Sequence, residues 1–376
     1  MTQNLMTAHN EWAKRPADQR FKTLAELAAS VNARRDHSTQ ETVDVKDMRF
    51  SANDEGNVIL TLGEHTSHGL PTNWSFGQIC SALKAPTKWL QKTPAELAVK
   101  NLEWALSEAE QEQFKVMKVL DDENPAHTIQ AVTSPTYGRI WDADVVASVQ
   151  KFVERSGGRF HNPLAYANNE GAGMLGGETE PSGLYASDRD CFMFLINGGS
   201  KLEIGERAEL NHGLIVWNSE VGSRSFGMMR FAFNEVCGNH IIWGAKDINK
   251  LVIYHKNGAP VRFAEEAIPA MMEAANKPLD TSAIEKAQKV TLDQLLSVPA
   301  EKCLSEPWIK TFADKHGFTR SEVREAINAA NAEETKCVTV WDLVQGLTAH
   351  ARKYANTDTR LDLELRAGKL LDLLVD

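Results

Sequence analysis

The sequence predicts an α+β fold, and three observations lead there. Between about Val43 and Phe263, short apolar and alternating runs recur between clusters of Gly, Pro, Asn and Asp, the pattern of strands joined by turns. After Phe263, apolar positions return at three-and-four spacing to the end of the chain, the pattern of helices. Residues 141–155 put Val145, Val146, Val149, Phe152 and Val153 on one helical stripe, which gives the sheet an amphipathic helix to pack against. The chain therefore divides into a helical N-terminal arm (1–42), an α+β core domain (43–263) holding a Gly-rich loop (156–183), and a helical C-terminal region (264–376).

In order along the chain, Phe21, Leu24, Leu27 and Val31 give the arm one apolar stripe. "VDVKDMRF" and "NVILTLG" read as strands joined by "SANDEG", whose Asn53, Asp54 and Gly56 supply turn chemistry. Two or three short helices follow over residues 74–106, broken near Pro86 and Pro94. "KVMKVL" and "HTIQAVT" are strands closed by "TSPTYG", and the helix over 141–155 comes next. "LYASDRDCFMFLI", "GLIVWNS" and "RSFGMMRFAFNEV" then form a meander, and "FTRSEVREAINAAN" and "TVWDLVQGLTAHARKY" are the clearest of the later helices.

Composition bounds the function. With 42% hydrophobic and 24% charged residues the 376-residue chain is an ordinary globular protein. No apolar run reaches the ~18 residues of a membrane span, and the start lacks the apolar stretch of a secretory signal. Five scattered cysteines argue for reduced thiols, so the expectation is a cytoplasmic protein with no membrane partner. The net charge of -10 repels polyanions, so any nucleic-acid contact needs a local basic face. Residues 215–262 supply six Arg/Lys against three acids, including Lys246, Lys250, Lys256 and Arg262.

Four motifs carry possible chemistry. "GAGMLG" has the glycine spacing of a dinucleotide loop but neither the strand before it nor the helix after it, so no cofactor is expected. Cys237 and His240 of "CGNH" make half a zinc site, and a packed thiol with a hydrogen-bonded imidazole is the simpler reading. Asp188 and Asp190 would share a face if "YASDRD" were strand throughout, as paired metal-binding carboxylates require. "HGFTRSEVREAIN" resembles a helix-turn-helix, with Gly317 at the turn and a Thr319/Glu322 capping box. Nineteen acids against fourteen Lys/Arg from 264 to 376 favour a plain helical hairpin.

The block "IVWNSEVGSRSFGMMRFAFNEVCGNHIIWG" is the richest in aromatics and arginine. If "EVGS" is a hairpin turn of even length, Leu214, Val216, Met229, Phe231 and Phe233 share the core face. Trp217, Arg224, Phe226 and Arg230 then share the other, with Ile215, Ser219 and Met228. That second face suits either stacked bases and phosphates or a covering helix.

The same block, with "SPTYGRI" (134–140), "YASDRDCFMFL" and the tail "VWDLVQGLTAHARKY", resembles a domain-of-unknown-function family of phage/plasmid-related proteins, from about Val43 to the C-terminus. The resemblance implies a phage, prophage or plasmid product and assigns no catalytic residue. The expected function is non-enzymatic single-stranded nucleic-acid binding through Trp217, Arg224, Phe226, Arg230, Lys246 and Lys250. The alternatives are a metal-dependent nucleic-acid enzyme using Asp188 and Asp190, and a protein-binding counter-defence factor.

Overall fold

The computed structural model describes residues 19–63, 67–121, 124–162, 183–198, 202–204, 208–234, 250–277, 281–333, 336–351, 363, 366–371 and 373–374. Residues 163–182 of the predicted glycine loop lie outside the described residues, as do Lys246 and the "CGNH" pair Cys237 and His240. The fold is α+β, with two sheets followed by a helical region.

The smaller sheet is built from β2 (Ser38–Asp44), β3 (Met48–Ala52), β4 (Val58–Leu62), β5 (Ser67–Pro71), β6 (Gln113–Asp121) and β7 (Asn124–Thr133). Its strands run in the order β2-β6-β7-β5-β4-β3, with β5 parallel to β7 and every other pair antiparallel. The parallel pair is the signature of a crossover, supplied here by α2 (Asn73–Ala82), α3 (Thr87–Leu90) and α4 (Ala95–Ser107). These helices lay Phe76, Ile79, Cys80, Leu90 and Leu102 on Phe50, Leu60, Val116 and Ile129 of the sheet.

The larger sheet gathers eight strands: β1 (Arg20–Phe21), β8 (Phe160–His161), β9 (Leu184–Ala186), β10 (Cys191–Asn197), β11 (Leu202–Ile204), β12 (Ala208–Asn218), β13 (Phe226–Asn234) and β14 (Lys250–Ile253). All its pairings are antiparallel. One face is covered by α1 (Leu24–Asp36), α5 (Asp142–Arg155) and α6 (Ala259–Asn276). Leu27 and Val31 of α1 and Val145, Val146, Val149 and Phe152 of α5 meet Met193, Leu195, Leu214, Val216, Phe226 and Met228 there. The stripe of 141–155 is thus buried as its spacing predicts.

The region read as one core over 43–263 holds two cores, one under each sheet. The described part of the arm belongs to both sheets, because α1 covers the larger one and β2 edges the smaller. A boundary at 263 would cut α6, whose Phe263 and Met271 complete the larger core. The third core is helical, formed by α7 (Ser282–Lys289), α8 (Leu292–Leu296), α9 (Glu306–His316), α10 (Arg320–Glu333) and α11 (Val340–Ala351). No helix among the described residues is long and apolar enough to cross a membrane.

The meander carries one correction. Residues 219–225 make a seven-residue loop, so the hairpin has odd length and the parity reverses. Leu214 faces Arg230, Val216 faces Met228 and Ile215 faces Met229 across the ladder. Phe226, Met228 and Arg230 therefore share the helix-covered side with Leu214 and Val216, while Trp217 lies on the opposite side with Ile215 and Met229. Opposite Trp217 stands Gly227, where a Cβ would lie 2.2 Å from the indole. The ring thus occupies the space above a bare backbone. Gly227→Ala is expected to destabilise the protein by roughly 1–3 kcal/mol through overpacking, read as a lower urea midpoint at unchanged m-value.

Candidate functional site

The loop 219–225 is where the two sheets meet. Its Val221 packs on Met117 and Ala131 of the smaller sheet, and its carbonyl accepts hydrogen bonds from Trp74 Nε1 (3.1 Å) and Gln78 Nε2 (2.7 Å) of α2. Gly222, at φ 87°, lets the chain turn beneath Tyr137, whose hydroxyl donates to the Ser219 carbonyl at 3.2 Å. Arg139 donates to the Glu220 carbonyl and, through Nε, to Gln40 Oε1 at 2.6 Å. Its guanidinium lies 5.3 Å and 5.6 Å from the ring centres of Tyr137 and Trp141.

Beneath this loop the charges are paired, with Asp142 and Glu220 buried and Arg34 partly so. Arg34 of α1 places Nη2 2.7 Å from Asp142 Oδ2 and Nε 2.9 Å from Glu220 Oε1, and it also donates to the Ser187 carbonyl. Asn218 Nδ2 donates to Asp142 Oδ1 (2.7 Å) and to the Ile140 carbonyl (2.9 Å), and the Asp142 amide donates to Glu220 Oε2 at 3.0 Å. Asp142 opens α5, where a carboxylate also meets the positive end of the helix. Burial, then the nearby Glu220 charge, pushes the Asp142 carboxyl up to about 7 against the opposing pull of Arg34 and Asn218. Burial opposes the charge on Arg34, yet Glu220 and Asp142 outweigh it and hold its pKa above the ordinary value.

Outside the paired charges lies an open cleft of about 510 Å³, lined by Gln19, Trp74, Ser187, Asp188, Arg189, Asp190, Ser223 and Arg224. Its floor is the turn between β9 and β10. There the Ser187 hydroxyl receives the Arg189 and Asp190 amides (3.1 and 3.3 Å) and donates to Asp190 Oδ1 at 2.9 Å. The Arg189 carbonyl accepts from Ser219 Oγ (2.5 Å) and Ser223 Oγ (3.1 Å), and Gln130 of β7 donates to the Asp188 carbonyl at 2.6 Å. The Arg189 side chain is exposed and lies 5.9 Å from the ring centre of Trp74. Among the described residues it makes no ion pair.

The sequence-predicted platform is not assembled. Trp217 is 5% exposed, Phe226 is enclosed against Phe263 with ring centres 4.8 Å apart, and Arg230 is buried and donates to the Lys277 carbonyl at 2.6 Å. Arg224 alone reaches the cleft, with Nε 3.1 Å from Asp190 Oδ2 and its guanidinium 4.8 Å from the Phe192 ring centre. Lys250 stands in β14 opposite Met229, and nothing further of its side chain is described. Lys256 and Arg262 are exposed, the latter paired with Glu266 at 2.8 Å.

Asp188 and Asp190 sit in a turn rather than on a strand, so the face-sharing expected of them does not apply. Ser187 and Arg224 already engage Asp190, and no cluster of three or more His, Cys, Asp or Glu able to hold a metal occurs among the described residues. Trp74, Arg189, Ser187 and Ser223 were missed as site residues. The spacing of Ser187 and Asp190 was a legible turn signal, whereas the approach of Trp74 across more than a hundred residues was not.

Residues 130–369 match the family described as Domain of unknown function (DUF932). The chain belongs to that family. No curated protein matches it, and no solved structure does. The DUF932 segment contributes Arg139, Asp142, Ser187, Arg189, Glu220 and Arg224, while Arg34, Trp74 and Gln78 precede it.

A pH dependence follows from Asp142. With its folded pKa raised above that of an unfolded carboxyl, the native protein holds a proton that the unfolded chain has lost between roughly pH 4 and 7. Its contribution to stability therefore weakens as pH rises through that window. Comparing the wild type with Asp142→Asn by urea unfolding at several pH values cancels opposing groups such as His212 and His255, which burial lowers to about 4. The stability of the wild type relative to the variant is expected to fall from pH 4 to 7, and a flat difference would refute this assignment.

Proposed function

We propose that this DUF932 protein binds single-stranded nucleic acid, as an accessory of phage or plasmid DNA metabolism, through the cleft beside Trp74 rather than through the face of β12 and β13. The observation that carries this reading is the pairing of Arg189 with Trp74. The indole is held by its hydrogen bond to Val221, and an exposed guanidinium with no ion pair among the described residues lies over it. A fixed aromatic offers a π-face to any base, and a free arginine offers a charge to the adjoining phosphate. A volume of about 510 Å³ suits one nucleotide. Ser187, Ser223 and the exposed Asp188 supply hydrogen-bonding groups at the rim.

Fluorescence anisotropy with a labelled 15-nucleotide oligothymidine and its RNA counterpart tests this. Trp74→Ala is expected to cost about 1–3 kcal/mol of affinity with the salt dependence unchanged, the mark of lost stacking. Arg189→Ala, at an exposed position, is expected to reduce the salt slope by about one unit, the mark of one lost phosphate contact. Binding that is indifferent to both substitutions would move the site elsewhere, and failure to bind either strand would leave a protein-binding counter-defence role as the better reading.

A further inference from the structure

The helical region contains a second surface, independent of the cleft. In α9, Trp308 stacks on Phe312 and Phe312 on Phe318, with ring centres 5.0 and 5.8 Å apart, which ties the helix to the residue just past its end. Gly317 closes α9 at φ 74°, a left-handed conformation that costs any other residue strain. Three residues, 317–319, then lead directly into α10. Thr319 and Glu322 form the predicted capping box, with Thr319 N donating to Glu322 Oε2 (2.7 Å) and Glu322 N to Thr319 Oγ1 (3.1 Å). Arg366 locks that box with two bonds to the Glu322 carboxylate, at 2.8 and 3.0 Å. The start of α10 is therefore fixed from both sides.

Helix α10 has two unlike faces. At 100° per residue, Glu322, Val323, Ala326, Ile327, Ala329 and Ala330 fall on one side and are all buried. This side presses closely on α11, where a Cβ at Gly346 would lie 2.1 Å from the Ala326 carbonyl oxygen. Arg320, Ser321, Arg324 and Asn328 fall on the other side, and all are exposed. Glu325, half-buried at the edge of that side, is its one acid among the described residues, so the face carries two arginines against one carboxylate and is rich in donors although the region around it is acidic. Its one described ion pair, Arg324 with Glu306 of α9 at 2.7 Å, joins side chains 45% and 64% exposed. Water and salt screen so exposed a pair, and a phosphate can displace its carboxylate.

We infer that α9 and α10 form a helix-turn-helix that reads duplex DNA, with α10 in the major groove. The three-residue turn with its glycine and the second helix buried on one side match that motif, and the aromatic stack holds the turn in place. Arginine is suited to the paired acceptors of guanine and asparagine to adenine, and both types project from the exposed side. Duplex DNA is favoured over a protein partner because the side presents two cations and hydrogen-bonding groups and no large apolar residue. The acids of residues 264–376 are spread over the whole region, and Glu322, the acid at the start of α10, is buried and paired with Arg366.

The full-length protein, immobilised, is used to select from a random-sequence duplex library, and the enriched duplex is compared with a scrambled one by anisotropy. Enrichment of a defined sequence is expected. Arg320→Ala and Asn328→Ala should each weaken its binding roughly tenfold or more at unchanged melting temperature. Glu306→Ala should strengthen binding by releasing Arg324, a gain that a purely structural ion pair would not give. Arg189→Ala should leave duplex affinity unchanged, which separates this surface from the cleft. Absence of an enriched sequence overturns the inference, as does duplex binding indifferent to Arg320→Ala and Asn328→Ala or abolished by Arg189→Ala.

Discussion

The two-sheet part of the molecule depends on one partly buried guanidinium. Arg34 reaches from α1 to Asp142 at the start of α5, to Glu220 in the loop after β12, and to the carbonyl of Ser187 before β10. Each segment belongs to a different part of the chain, and none would hold its charge or its polar backbone in that place alone. Removing Arg34 leaves Asp142 and Glu220 buried without their cation, at a cost of about 3–5 kcal/mol. Paired, they fix the direction in which the loop 219–225 leaves the larger sheet. That direction carries Val221 to Trp74 and Gln78, and so joins the second sheet to the first.

The fold class was legible because each core writes its own period into the sequence. The stripe of Val145, Val146, Val149 and Phe152 is the buried face of α5, and the capping box at Thr319 is the start of α10. Parity was not legible. The faces of β13 turn on whether the loop before it has an even or odd number of residues, and "EVGS" marks the bend without marking where pairing resumes. The one-residue difference sends Phe226 and Arg230 to the helix side and leaves Trp217 over Gly227. In "YASDRD" the strand stops at Ala186, since the Ser187 hydroxyl offers the next amides a closer acceptor than a neighbouring strand does.

The dense block around "EVGS" is thus explained without a ligand. Among its described residues, Trp217 and Phe226 fill opposite sides of a central hairpin, and Ser219 and Ser223 belong to the clasp between sheets. Ser219 and Ser223 hold the Arg189 carbonyl, so the clasp also sets the position of the exposed arginine of the cleft. Structural polar residues and candidate ligand-binding residues are neighbours here because the same buried bonds that close the seam also leave at its rim a side chain with no ion pair among the described residues.

An acidic protein can still meet a polyanion at such places. Near 0.15 M salt the screening length is about 8 Å, so a phosphate at Arg189 or at Arg320 responds to charges within a side chain or two and little to the net -10 of the whole chain. What the net charge does change is approach, because at low ionic strength the repulsion extends further than the attraction of any one arginine. Lowering the salt strengthens a local phosphate contact and at the same time raises the barrier to reaching it. The balance of the two depends on how many phosphates a surface engages: a strand held by one base and one arginine gains less from low salt than a duplex lying along Arg320 and Arg324. The two proposed surfaces would therefore differ in their response to salt as well as in their residues.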